Sequence, residues 1–300
     1  MGHTTNTDSV SAAPLIRRDV ARHSHALAQQ LADLAVGALV DEAMLTPKPG
    51  LVDLRSRGAH EDMNWVLMCH SAWSLHACFC AMALAGRETT EPLALRQRIG
   101  RIGRDGESTM MRATGGVNTH RGAIWALGLL VAAAAQDDFA LTPGSVAARA
   151  GALARLRDRH APAASGSNGE QACRKYGVGG ARAQAQADFP HVTGIALPRL
   201  HQSRLEGASE NAARIDALVA VIAELDDTCI LFRGGEPALH SMQALAREVI
   251  DAGGVAHHAG KERLCLLERD LLERRVSPGG AADLLAAALF LDRLQRLEAA

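Results

Sequence analysis

The chain reads as an all-α protein, a single multi-helix globular domain over residues 15–300. It is expected to have a central buried helix and a site where helix ends converge. Three observations predict this. Ala-, Leu- and Arg-rich blocks recur at helical period. Strand-like alternation is almost absent, and the blocks are joined by short connections rather than arranged as βαβ units.

Each element follows in order. The first 14 residues, "MGHTTNTDSVSAAP", are small and polar and predict a disordered tail. Ile16 to Met44 is the first helix. Pro47, Pro49 and Gly50 stop it, because proline disfavours helical geometry in the residue before it. Asn64 to Gly86 is long enough to span a bilayer, yet Asn64, His70, Ser71, Ser74 and His76 interrupt it. It is therefore expected as a buried core helix rather than a membrane span.

Helices are then predicted over Pro92 to Met111, Thr119 to Ala135 and Ser145 to Arg159. The stretch "APAASGSNGEQA", Ala161 to Ala172, is expected as a flexible surface loop. Gly180 to Asp188, Gly207 to Phe232, Pro237 to Ala252, His258 to Glu273 and Pro278 to Ala299 complete the set.

Composition removes whole classes of function. Thirty-two basic residues balance 33 acidic ones, and one Tyr, three Trp and five Phe leave few stacking platforms. A non-specific nucleic-acid binder is therefore not expected. Six cysteines form no CxxC pair and no signal peptide is expected, so the thiols are read as reduced in a cytoplasmic protein.

Five polar islands lie at the ends of the apolar helices: "LTPKPGLVDLRSRGAHEDM", "ESTMMRATGGVNTHRGA", "KYGVGGARAQAQADFP", "LDDTCILFRGG" and "RRVSPGGAADLL". Each mixes glycine with Arg or Lys. Glycine admits a ligand to the backbone, and free N–H groups at helix N-termini bind anions.

In the first island, Asp62 is suited to cap the following helix. The loop also holds Lys48, and capping does not explain Asp53 or His60. Two carboxylates and an imidazole in one loop can hold a divalent cation, preferably Mg²⁺. In the second, Gly116 leads to Asn118 or Thr119 as N-cap, with His120 and Arg121 in the first turn. Arginine there opposes the helix dipole, so an anion is wanted beside it. The GKS or GKT ending of a Walker motif is missing.

Tyr176, Gly179 and Arg182 form a further anion-facing turn in the third island. Asp226 lies seven residues before Arg233, so both are expected to project from one helix face about two turns apart, while Asp227 points elsewhere. Ser277 reads as an N-cap with Pro278 at the first helical position, and Gly279 and Gly280 permit close approach.

In this order the stretches "TPKPGLVDLRSRGAHEDM", "GVNTHRGAIWALGLL", "YGVGGARAQAQADFP", "DDTCILFRGG" and "SPGGAADLLAAALFLDRL" resemble the triphosphoribosyl-dephospho-CoA synthase family. The resemblance spans Thr46 to Leu294, and TPKPGLVD followed by GAHxDM is its most specific part. It implies a transferase that joins the triphosphoribosyl part of ATP to the 2′-hydroxyl of 3′-dephospho-CoA and releases adenine. The product is a prosthetic-group precursor for the acyl-carrier subunit of citrate lyase or malonate decarboxylase. Arg121 stands where some members have lysine. Gln184 and Gln186 stand where citrate-lyase-type members are expected to carry acid, so neither is cast as a base or ligand. These glutamines, and a chain with no fused partner, lean the reading toward the malonate decarboxylase type.

Such a reaction builds oxocarbenium-like charge on the ribose. On this reading Asp53, Asp62, Asp226 and Asp227 supply metal-binding and base functions, with Mg²⁺ as the expected cation, and His60 or His120 protonates adenine. Lys48, Gly50, Gly116, Asn118, Arg121, Tyr176, Gly179, Arg182, Arg233, Ser277, Gly279 and Gly280 hold the phosphates. The rivals are an ADP-ribosyl-type glycohydrolase, which passes the ribosyl group to water, and a non-catalytic helical scaffold.

Overall fold

The computed structural model describes residues 13–162 and 166–298, and within them the regular structure is helical with no strand. The helices are α1 (Ala13–Met44), α2 (Trp65–Ser74), α3 (His76–Glu88), α4 (Pro92–Ala113), α5 (Arg121–Gln136) and α6 (Pro143–Arg155). Then come α7 (Asn168–Tyr176), α8 (Gly180–Gln186), a π-helical turn (Val192–Ala196) and α9 (Leu197–Leu205). Last are α10 (Glu210–Glu224), α11 (Thr228–Asp251), α12 (His258–Glu273) and α13 (Gly279–Glu298). Of the predicted tail, residues 1–12 lie outside the described residues, whereas residues 13 and 14 already belong to α1. Ala299 of the last predicted helix is likewise outside them.

Helix α5 packs against α1, α3, α4, α6, α8 and α13. Its sequence, "RGAIWALGLLVAAAAQ", is apolar on nearly every side, and Leu127 to Ala134 are all buried. A helix of that composition is stable only inside other helices. Small residues set the spacing: a Cβ on Gly86 of α3 would lie 2.2 Å from the Ala132 carbonyl oxygen, so α3 and α5 nearly touch backbone to backbone.

The stretch expected as one core helix is two. Asn64 caps α2 by accepting the Leu67 N–H, and α3 begins anew after Leu75. Trp65, Val66 and Trp73 face solvent, the last at 60% exposure. Trp65–Glu88 is long and apolar enough to cross a membrane by length and composition, and half of its apolar window is buried in the protein.

Three further departures have local causes. Ser167 caps α7 through the Glu170 N–H, placing a helix where a flexible loop was expected; residues 163–165 of that loop lie outside the described set. Helix α9 follows directly from the π turn and carries Pro198 in its first turn, a residue that reads as a breaker in sequence yet is tolerated there. The predicted Gly207 to Phe232 helix breaks at residues 225–227 with neither Gly nor Pro, because Asp227 caps a new helix. Gly235, at φ 68°, bends α11 just before Pro237.

Candidate active site

A cavity of about 1550 Å³ is walled by the loop after α1, one face of α4 and the first turns of α5, α11 and α13. The starts of α5, α11 and α13 thus border one space, the ends at which N–H groups and the positive end of a helix dipole lie.

The α13 terminus is capped from a distance. Asp227 Oδ1 accepts the Cys229 N–H at 2.8 Å within its own helix start, and Oδ2 accepts the Ala281 N–H at 3.0 Å. One carboxylate therefore joins the starts of α11 and α13. Ser277, predicted as that cap, is fully buried with an unpartnered Oγ and lines the cavity instead. Asp283, one turn into α13, meets the start of α5. It accepts a hydrogen bond from the Ala123 N–H, and a Cβ on Gly122 would sit 2.0 Å from its Oδ2. Glu42 completes an acidic group on the same wall. Burial, then the charges of Glu42 and Asp227, push Asp283 well above the usual carboxylate range. Burial also raises Asp227, opposed by the N–H groups around it.

Lys48 is 1% exposed, and its Nζ donates to Glu42 Oε1 and to the Glu42 carbonyl, each at 2.5 Å. It balances a charge that would otherwise stand unpaired in the interior. His120 is buried on the cavity wall. Its Nδ1 lies 2.9 Å from Ser71 Oγ, which lies 2.6 Å from Thr119 Oγ1, while Nε2 has no protein partner. Burial, assisted by Lys48, lowers its pKa to about 3, so the ring is neutral near pH 7. His60 also lines the cavity and is lowered by burial and by Arg233. Asn118 Oδ1 accepts the Arg121 N–H, and Arg121 Nε pairs with Glu107 at 3.2 Å.

Of the remaining predicted residues, Gly179, Arg182, Asp226, Arg233, Gly279 and Gly280 reach the cavity. Asp53, Asp62, Gly50, Gly116 and Tyr176 are not on its wall. Gly50 packs its loop against the Val276 carbonyl, Gly116 is exposed, and Tyr176 borders a smaller recess beside Lys175.

Asp53 is closed into its own loop. It accepts from Thr46 Oγ1, the Lys48, Arg55 and Ser56 N–H groups and the Arg55 guanidinium, all between 2.8 and 3.1 Å. Burial alone would raise its pKa, but these donors hold it below the ordinary value. Asp62 is 60% exposed and does not cap α2, since Asn64 does. Asp226 is exposed and non-helical, so it shares no helix face with Arg233. The four carboxylates foreseen as metal ligands therefore do not converge. Among the described residues no group of three or more His, Cys, Asp or Glu side chains is placed to hold a metal ion.

Sequence reasoning assigned no role to Glu42, Ser71 or the Arg96–Trp125 wall of α4 and α5, and placed Asp283 just inside the fifth polar island without a function. Glu42 and Ser71 sit within helical runs and look like ordinary interruptions of a core. The detectable signal was their cost, since an acid in a buried helix face needs a partner or a purpose.

A family model described as ATP:dephospho-CoA triphosphoribosyl transferase (CitG) matches residues 28–300. The chain belongs to that family. All the cavity-lining elements named above fall inside the matched span. Two relatives named "Probable 2-(5''-triphosphoribosyl)-3'-dephosphocoenzyme-A synthase" come from Stutzerimonas stutzeri, 57% identical over 92% of this chain and 95% of the relative, and Azotobacter vinelandii, 56% identical over 90% and 92%. A third of the same name, from Pseudomonas aeruginosa strain PAO1, is 56% identical over 89% and 92%. No solved structure matches the chain. The molecule is thus an enzyme, a transferase of the triphosphoribosyl-dephospho-CoA synthase family.

Proposed function

We propose that this enzyme transfers the 5-triphosphoribosyl group of ATP to the 2′-hydroxyl of 3′-dephospho-CoA, releasing adenine. The observation that carries the reading is the buried Asp283 carboxyl placed among three helix N-termini on a cavity of about 1550 Å³. That volume exceeds an ordinary ligand pocket of roughly 300–1,000 Å³, as two nucleotide substrates require.

The bond that breaks joins ribose C1′ to adenine, and the bond that forms joins C1′ to the acceptor oxygen. Asp283, protonated because of its surroundings, donates its proton to the departing base. The Glu42 and Asp227 side chains place acceptor oxygens near the ribose as it becomes cationic. His120 Nε2, neutral and unpartnered, holds the acceptor hydroxyl. The hydroxyl proton passes to water as the new bond forms and water returns one to Asp283, so adenine departs with one proton and the transfer is proton-neutral overall. This assigns proton donation to Asp283 in place of His60 or His120, both of which the interior keeps neutral. Arg121, Arg233 and the glycine-rich starts of α13 hold phosphates. Mg²⁺ arriving with ATP would offset phosphate charge there, a role that needs few protein carboxylates.

Gln184 on the cavity wall supports the malonate decarboxylase lean over citrate lyase, and the six free thiols support a cytoplasmic location. The acyl-carrier subunit enters only as the later recipient of the product.

The test is incubation of the purified protein with ATP, Mg²⁺ and 3′-dephospho-CoA, following free adenine and coenzyme mass together. Adenine with a coenzyme heavier by the triphosphoribosyl unit is expected. Adenine without that adduct assigns a hydrolase, and neither product from folded protein overturns the substrate pair.

A further inference from the structure

Away from the acidic group, the same cavity has a second wall of different chemistry. Arg96 of α4 is 7% exposed, lines the cavity and leaves its Nε without a hydrogen-bond partner. Its guanidinium lies 5.2 Å over the Trp125 ring, which fixes its plane. Trp125 is in turn held by its Nε1–H, which donates to the Ala181 carbonyl at the start of α8.

Arg96 and Arg104 share one carboxylate. Arg104 Nη1 lies 2.7 Å from Asp158 Oδ2 and Arg96 Nη1 lies 3.7 Å from it. Gly100 makes this possible, because a Cβ there would lie 2.1 Å from Asp158 Oδ2. Arg182, exposed on the same cavity, adds a third guanidinium close enough to disfavour the charge on Arg96. Two guanidiniums thus share one carboxylate and a third lies near them. Crowding guanidiniums together inside a protein, one with an unsatisfied N–H, is unfavourable unless an anion joins them.

We propose that Arg96, Arg104 and Arg182, ordered by Trp125 and Asp158, form a subsite for the phosphate chain of a nucleotide. The planar guanidinium forks suit paired phosphate oxygens, and the free Arg96 Nε–H supplies a donor already in place. Two ligands of the proposed reaction carry such a chain, the triphosphate of ATP and the diphosphate of 3′-dephospho-CoA. Their identity rests on the transfer reading; the subsite itself does not.

The experiment combines direct binding with kinetics. Titration calorimetry with inorganic tripolyphosphate and with pyrophosphate is run on the wild type, Arg96→Gln, Arg96→Lys and Arg182→Gln. KM is measured for ATP and for dephospho-CoA on the same proteins. Arg182 is exposed with no salt-bridge partner among the described residues, so its variant folds even if Arg96→Gln does not. The expected result is a tenfold or greater loss of polyphosphate affinity in both glutamine variants, with Arg96→Lys partly restoring it. A KM increase confined to ATP places the triphosphate there, and one confined to dephospho-CoA places the diphosphate there. Polyphosphate affinity and both KM values within twofold of wild type in folded variants would overturn the subsite. Polyphosphate binding that depends on Arg96, in a protein that forms no adduct, would retain the subsite and sink the transfer reading.

Discussion

Asp283 Oδ2 occupies the space where a Cβ on Gly122 would be, 2.0 Å from that position. The carboxyl and the backbone of the α5 first turn are thus mutually exclusive with any larger side chain. Gly122→Ala is expected to displace Asp283 without removing it. Displacements on the 1 Å scale cost roughly 100-fold in rate. Adenine release should fall by about that factor while circular dichroism and melting temperature change little. A fully active Gly122→Ala enzyme would remove Asp283 from the mechanism.

Replacing the acid itself separates stability from catalysis. The folded-state pKa of Asp283 is raised above its ordinary 3.8. As pH rises past that value the unfolded carboxyl ionises first, so folding stability declines until the folded group also ionises. Asp283→Asn keeps an acceptor for the Ala123 N–H and loses the titration. The variant should melt at about the wild-type temperature near pH 3.5 and above it at pH 8. Its transfer rate should drop by roughly 10²–10⁴-fold, the usual contribution of a general acid. Parallel melting curves for the two proteins across this range would contradict the placement of that proton.

His120 gives the opposite sign. Its folded pKa is about 3 against an ordinary 6.5. Below pH 6.5 the unfolded ring takes up a proton that the folded ring refuses, so stability falls toward pH 3 at up to ~1.4 kcal/mol per pH unit. Urea midpoints between pH 7 and 4 should show a shallower fall in His120→Gln than in the wild type. An unchanged slope would mean the imidazole is accessible to solvent.

Asp53 tests structure against chemistry. Its carboxylate organises the loop through five donors, and hydrogen bonds to charged groups contribute about 1.5–3 kcal/mol each. Asp53→Asn should cost on the order of 3 kcal/mol by urea denaturation at pH 7. Because the folded pKa is depressed, this stabilisation is present above pH 4 and lost as pH falls through the folded value, so the two proteins should converge in acid. Loss of adenine release with no loss of stability would restore Asp53 to a direct chemical role.

The helical class was legible because α4 and α12 repeat apolar residues at a clear period. Their neighbours were less so. The break between α10 and α11 is made by a capping aspartate, and that cap resembles any exposed acid until its partners across the chain are known. Glycine and arginine clusters marked much of the cavity wall, including Arg121, Arg182, Gly279 and Gly280. The acids were harder to sort. Asp53 stood out beside prolines yet closes a loop, whereas Glu42 hid within a helix and Asp283 sat in the fifth island without an evident role, and both line the cavity. Spacing reports which face of an element a residue shares, but the meeting of Asp283 with Gly122 joins positions far apart in sequence.

The distribution of indoles has a practical outcome. The sequence contains three tryptophans, and Trp65 and Trp73 lie on the solvent side of α2, whereas Trp125 lines the cavity beneath a guanidinium. A Trp65→Phe/Trp73→Phe protein would emit from the cavity alone. Its intrinsic fluorescence would then be an optical signal of occupancy, recorded without label or turnover, from which the order of arrival of two substrates can be timed.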